Sequence, residues 1–210
     1  SAVVGANTAG AVPVSNWNVA ALPYVIGGTY TYPTSPASLL DSTGAPTGIS
    51  ESVYCKGAFD SSNGNSLISV GDHAANSAYA LGNYGGIDHV TLTLNGLDPA
   101  ATYTLYAYLF DNDGTKASVT VGSTSYWMTG ATNPLTTLTQ TTATTSATAT
   151  LAHYAVFTGL TGSSTQTLTL TGGSGLIGLT GFQLVSSPVP EPASLGLLGL
   201  GGAMMLVRRR

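Results

Sequence analysis

Apolar and polar residues alternate with a period of two along much of the chain. Successive side chains on an extended backbone point to opposite faces, so this spacing builds half-buried strands. Ile49, Glu51, Val53 and Cys55 alternate with Ser50, Ser52, Tyr54 and Lys56. Val90-Thr91-Leu92-Thr93-Leu94 repeats the pattern; Asn95-Gly96-Leu97-Asp98-Pro99 then reads as a turn, and residues 102–110 as the returning strand of a hairpin. Tyr103, Leu105, Ala107 and Leu109 share one face of that return, with Tyr106, Tyr108 and Phe110 on the other, which predicts a central strand covered on both sides. Ala117, Val119 and Val121 alternate next, Gly122-Ser123 makes a two-residue turn, and Ser125-Tyr126-Trp127-Met128 comes back. Further strands are expected at 151–158, 166–171 and 176–185, the last with a bulge or bend at Gly178 or Gly181.

Less regular stretches frame these strands. The first forty residues read as a lead segment laid over the domain, with Trp17 and Tyr24 as anchors. Residues 38–41 predict a short strand running into a turn at Asp41-Ser42-Thr43-Gly44, and Asp60-Ser61-Ser62-Asn63-Gly64-Asn65 a polar loop. Residues 74–81 fit one helical turn or a short strand equally. The Thr/Ala/Ser tract at 136–150 lacks the proline of a glycosylated stalk, and threonine favours strands, so a long edge strand or loop is preferred there. Together these features predict an all-β, jelly-roll-like antiparallel β-sandwich of eight to ten strands over residues 1–187.

Composition narrows the surroundings. Only 7% of residues are charged, against about 25% in ordinary soluble proteins, so hydroxyls and amides must solubilise the surface. The net charge is −4, and without the three terminal arginines it would be −7, which excludes nucleic acid as a partner. Cys55 is the sole cysteine; no intrachain disulfide can form, and it reads as a small core residue, with a reactive thiol as the alternative.

The end of the chain breaks the pattern. Pro190-Glu191-Pro192 precedes an uncharged, Gly/Leu-rich run from 193 to 207, closed by Arg208-Arg209-Arg210. An apolar run stopped by a basic cluster is the pattern of a membrane segment with its basic end in the cytoplasm. Its fifteen residues fall short of the roughly 17 a spanning helix needs, so snorkelling arginines would have to cover the difference. A buried C-terminal helix or an unstructured apolar end is the plain alternative. In order and composition, residues 189–210 resemble the PEP-CTERM sorting signals of exported Gram-negative proteins, often from producers of exopolysaccharide. The resemblance implies recognition by an exosortase-type membrane protease, with Pro190, Glu191, Pro192 and Arg208–Arg210 as the sorting motif. It also implies at least transient membrane contact and delivery to the envelope, cell surface or extracellular matrix. The expected organisation is therefore a sandwich over 1–187 and a sorting or anchor tail with a short apolar helix over 188–210. An exported chain also implies that a signal peptide has been removed from the form beginning at Ser1. The 95–99 turn and the closing Gly181-Phe182-Gln183-Leu184-Val185 resemble jelly-roll bodies joined to such tails.

No catalytic motif is present: no Gly-x-Ser-x-Gly, no His-Glu-x-x-His, no phosphate-binding glycine loop and no zinc-spaced cysteine pair. Asp72-His73 and Asp88-His89 are adjacent residues, which point to opposite faces of a strand and make no dyad; His153 reads as structural. A non-enzymatic protein is expected, with a hydrolase of unrecognised site as the alternative. Asp111-Asn112-Asp113-Gly114 begins like a calcium loop but lacks the distal glutamate, position twelve being Gly122. Asp111 and Asp113 are thus the one cofactor site left open, a plain turn being preferred. Trp127, Tyr126 and Tyr84, with Trp17 and Tyr54 behind them, are candidates for stacking on sugar rings, against the alternative that they belong to the core. Low charge and few charged edge residues favour association between copies. The expected function is an envelope or matrix structural protein that self-associates; the alternative is a carbohydrate-binding module acting on exopolysaccharide.

Overall fold

A computed structural model describes residues 9–13, 18, 30–33, 38–55, 57–60, 78–82, 89–111, 115–129, 137–172 and 177–187. Its strands are β1 (Tyr30–Pro33), β2 (Ser50–Cys55), β3 (Gly57–Asp60), β4 (Ala78–Gly82), β5 (His89–Asn95), β6 (Thr102–Asp111), β7 (Lys116–Val121), β8 (Thr124–Thr129), β9 (Thr150–Leu151), β10 (Tyr154–Leu160), β11 (Thr165–Gly172) and β12 (Ile177–Ser187). A seven-stranded sheet runs β1-β2-β5-β11-β7-β8-β9 and a five-stranded sheet runs β10-β6-β12-β4-β3. Among the described strands, β8 and β9 alone pair in parallel. Within the two sheets, β5-β11-β7-β8 and β10-β6-β12-β4 wind as a jelly roll: each link between consecutive members crosses sheets except the β7–β8 hairpin. The expected β-sandwich is present. Its strand count exceeds eight to ten because pieces as short as β3 and β9 carry no readable alternation. Trp17 and Tyr24, residues 61–65 and the expected C-terminal helix lie outside the described residues.

The periodic stretches fall where their spacing puts them. Val53 and Cys55, Val90, Leu92 and Leu94, Val119 and Val121, and Leu168 and Leu170 point inward from the larger sheet. Tyr103, Leu105, Ala107, Leu109, Ala155, Phe157 and Leu179 answer from the smaller one. Cys55 is fully buried and packs as a core residue. β6 lies between β10 and β12, central as expected, and the register of β12 slips between Leu179 and Gly181, at the expected bulge.

The predicted hairpin of residues 90–94 and 102–110 is corrected. β5 pairs with β2 and β11, whereas β6 pairs with β10 and β12, so the 95–99 turn is a corner between sheets. Alternation reveals which face of a strand is apolar, not which strand lies beside it. Residues 96–101 are long enough to climb the ~10 Å between packed sheets. At this corner Leu97 is buried and donates its N–H to Ser164 O at 3.1 Å, and Asp98 N–H donates to the Tyr103 hydroxyl at 3.0 Å. Gly96 has φ +83, and a Cβ there would lie 2.6 Å from the Gly48 carbonyl oxygen. Gly96→Ala therefore meets rigid backbone as well as a left-handed conformation. It should cost on the order of 1–3 kcal/mol, read as a lower urea midpoint with an unchanged slope.

Two smaller expectations also change. Leu40 forms only an isolated bridge to Pro46, so 38–41 is not a strand; the turn beyond it is real. There Asp41 Oδ1 accepts from Thr43 N–H, the Thr43 hydroxyl and Ala45 N–H, and these bonds hold its carboxyl below the ordinary 3.8. The expected strand at 151–158 is split, Leu151 ending β9 and Tyr154 beginning β10 on the other sheet.

The Thr/Ala/Ser tract is neither stalk nor regular strand but a strap across one open side of the sandwich. Thr141 N–H donates to Tyr154 O on β10, while Trp127 N–H on β8 donates to Ala143 O. Thr141 is fully buried, and its hydroxyl donates to Trp127 O at 2.5 Å. His153 N–H donates to Thr139 O, and His153 Nδ1 accepts from Thr139 N–H, a structural role as expected. The strap thus bonds to β8 at Trp127, beside β9, and to the start of β10, the edge of the smaller sheet, and so occupies backbone groups at these points.

Candidate functional site

Alternation that buries one face of the larger sheet leaves the other lined by hydroxyls. Cross-strand register arranges them in rows. One row runs Tyr54–Thr91–Thr169–Thr120–Ser125 from β2 through β5, β11 and β7 to β8. A second runs His89–Thr171–Ser118–Trp127 over β5, β11, β7 and β8. Ser52–Thr93–Thr167 forms a third, shorter row. Along the middle strand, Thr165, Thr167 and Thr171 are exposed and Thr169 half-buried. Within the first row the Thr120 and Ser125 hydroxyls lie 2.8 Å apart, and beyond the third the Thr165 hydroxyl donates to Asn95 Oδ1 at 3.1 Å.

Aromatic rings stand at both ends of the second row and at the β2 end of the first. Tyr54 and His89 are diagonal neighbours on adjacent strands and stack with centroids 5.3 Å apart and planes 20° apart. Three strands beyond His89, Trp127 is half-buried on the same face, its N–H and its carbonyl both bonded to the strap. Lys116 is the only formally charged side chain among those described on this face. A hydroxyl both donates and accepts, and an aromatic face packs on apolar C–H surface. The arrangement therefore suits a ligand with alternating hydroxyl and C–H faces and no charge.

The structure separates the residues that sequence reasoning had grouped. Tyr126 and Trp127 are consecutive on β8 and face opposite ways, so they cannot form one platform. The Tyr126 ring packs inward on the core, 5.2 Å from Phe157 at 60°. Tyr84 and Asp113 lie outside the described residues, as does the sorting motif, Pro190, Glu191, Pro192 and Arg208–Arg210. Asp111 ends β6, its backbone paired with Ile177. Among the described residues no three His, Cys, Asp or Glu cluster to hold a metal ion, and no helix is long and apolar enough to cross a membrane.

A second aromatic group was not singled out by sequence. On the outer face of the smaller sheet Tyr154 lies 5.7 Å from Tyr108 and 6.4 Å from Tyr106, ring to ring. Burial, and then the neighbouring Tyr106, raise the Tyr154 phenol above its ordinary 10.0. Residues 9–13 lie over part of this face: Ala11 N–H donates to the Tyr108 hydroxyl at 2.6 Å, and Gln183 Nε2 donates to Val12 O at 2.7 Å. Tyr108 is thereby buried, and the outer face of β6, expected to be covered, is covered at this point by residues 9–13. The only sequence signal was the alternate tyrosines of β6; their meeting with Tyr154 depends on the β6–β10 register.

Comparison with known proteins bears on the tail. Residues 188–210 match the PEP-CTERM protein-sorting motif, so the chain carries an address for export to the envelope or surface of Gram-negative bacteria, processed by an exosortase. No curated protein matches the sequence. Among solved structures, TmCBM61, determined in complex with β-1,4-galactotriose, aligns with 76% of this chain and 88% of its own, at 11% identity and a TM-score of 0.34. A score that low does not define a shared fold; the two-sheet architecture rests on the strand register itself.

Proposed function

We propose that this exported protein is a non-enzymatic component of the cell envelope or extracellular matrix that holds neutral polysaccharide on the outer face of its seven-stranded sheet. The observation that carries this reading is the pair of adjacent hydroxyl rows that begin at the Tyr54–His89 stack, the second of them ending at Trp127. Exchanging water for sugar hydroxyls leaves a net gain of only about 0.5–1.5 kcal/mol per hydrogen bond, so the aromatic ends must supply much of the affinity. With Lys116 the single formally charged side chain described on it, the face offers little to anionic polymers, and the net charge of −4 repels them. The sorting motif supports the setting, because it sends the chain where such polymers lie. A matrix role needs no catalysis, only retention of polymer at the surface.

Titration against a panel of neutral glycans tests the reading. Trp127→Ala should weaken binding at least about tenfold, about 1.4 kcal/mol, with the melting temperature nearly unchanged. Full binding by that variant would move the site elsewhere.

A further inference from the structure

The rows also indicate how a chain would lie and what form it would take. Resting on the proposed reading, we infer that the ligand is a single, soluble, uncharged β-linked polysaccharide chain crossing the strands along the Tyr54–Ser125 and His89–Trp127 rows, and not a crystalline surface or a chain running along one strand.

Spacing gives the first reason. Neighbouring strands are ~4.8 Å apart, whereas same-face side chains along one strand recur every ~6.7 Å. Rings in an extended β-linked pyranose chain repeat on nearly the strand-to-strand spacing, so a chain across the sheet meets one hydroxyl-bearing strand per sugar. A chain along β11 would drift out of step with Thr165, Thr167, Thr169 and Thr171 after two sugars.

The aromatic rings give the second. β11 carries none on this face; the rings lie at the row ends, on β2 and β5 and on β8. A crossing chain can stack at both ends, while one following β11 meets threonine alone. Twist gives the third. Adjacent strands rotate by roughly 20–25°, so the four steps from Tyr54 to Ser125 turn the surface through about 80–100°. A planar crystal face cannot touch both ends of such a ramp. A single flexible chain can follow it.

The test is isothermal titration of the full chain with homologous series of β-1,4-linked glucose, galactose and xylose oligomers, from the disaccharide upward, alongside sedimentation with microcrystalline cellulose. For a series that binds, affinity should climb with each added sugar and level off at about five, the length of the Tyr54–Ser125 row. Thr169→Val, which keeps strand shape but removes the hydroxyl, should weaken the pentasaccharide about two- to tenfold and leave melting unchanged. Microcrystalline cellulose should carry down no more than trace protein. A plateau at the disaccharide, an unaffected Thr169→Val or preference for the crystalline polymer would overturn the crossing-chain inference while leaving glycan binding intact. Failure of every oligomer to bind would overturn both.

Discussion

Phe157→Ala should be the most damaging single substitution considered, costing about 3–5 kcal/mol and lowering the urea midpoint without changing the slope. Phe157 is 2% exposed on β10, paired with Leu105 of β6, and it joins the central core. Its ring meets Tyr126 of the opposite sheet at 5.2 Å, so truncation removes apolar burial and an aromatic contact between layers together. The cavity would open beside the strap, whose bonds tie β8 and β10 across the same side, which limits how far the sheets can collapse into it. Phe157→Leu, retaining most of the volume, should recover more than half the loss. If both variants matched the parent, the packing of the two sheets described here would be wrong.

Gln183→Leu should be next in effect, at about 1–3 kcal/mol, through the opposite mechanism. Gln183 is a buried polar residue, 8% exposed, on the outer face of β12. Its Oε1 accepts from the Tyr108 hydroxyl and from Val12 N–H, and its Nε2 donates to Val12 O. Leucine preserves most of the volume but removes the Gln183 acceptor of the buried Tyr108 O–H and the side-chain partner of Val12 N–H and Val12 O. Gly10 presses on the same amide: with φ +94, a Cβ there would lie 2.6 Å from Gln183 Oε1. Hydrogen exchange gives the specific signature. Ala11 and Val12 amides should lose protection in the variant while the amides of β5 and β11 keep theirs, because the 9–13 segment is released without loss of the core. Unchanged exchange at Ala11 and Val12 would show that Gln183 does not hold the segment.

What the sequence reveals is set by the range of the physics involved. The inward residues of β5, β7 and β11 follow from strict alternation, and the β7–β8 hairpin from Gly122-Ser123, because both signals are local. Register across distant strands leaves no local mark. The 95–99 turn looks like a hairpin because both flanking strands are amphipathic, yet each joins partners far along the chain. For the same reason Tyr54 and His89 could not be paired in advance. The candidate site divides along this line. Alternation along β8 puts Tyr126 and Trp127 on opposite faces, but only the packing of Tyr126 on Phe157 shows which of the two points inward. The threonine tract shows the limit of composition: Thr141 is fully buried and bonded to Trp127, Thr142 and Thr144 are exposed, and one residue type serves both. The tail is the opposite case, a linear motif readable without structure.

The account turns on which face meets the glycan, because the Tyr106–Tyr154 pair offers a second aromatic surface on the other sheet. Amide chemical-shift mapping of the full chain, titrated with a neutral β-linked glycan it binds, tests this most directly. Perturbations should gather at Tyr54, His89, Thr91, Thr120, Trp127 and Thr169, across four or more strands of the larger sheet. Shifts centred instead on Tyr106, Tyr154 and Gln183 would contradict the assignment of the outer face of the seven-stranded sheet as the binding surface.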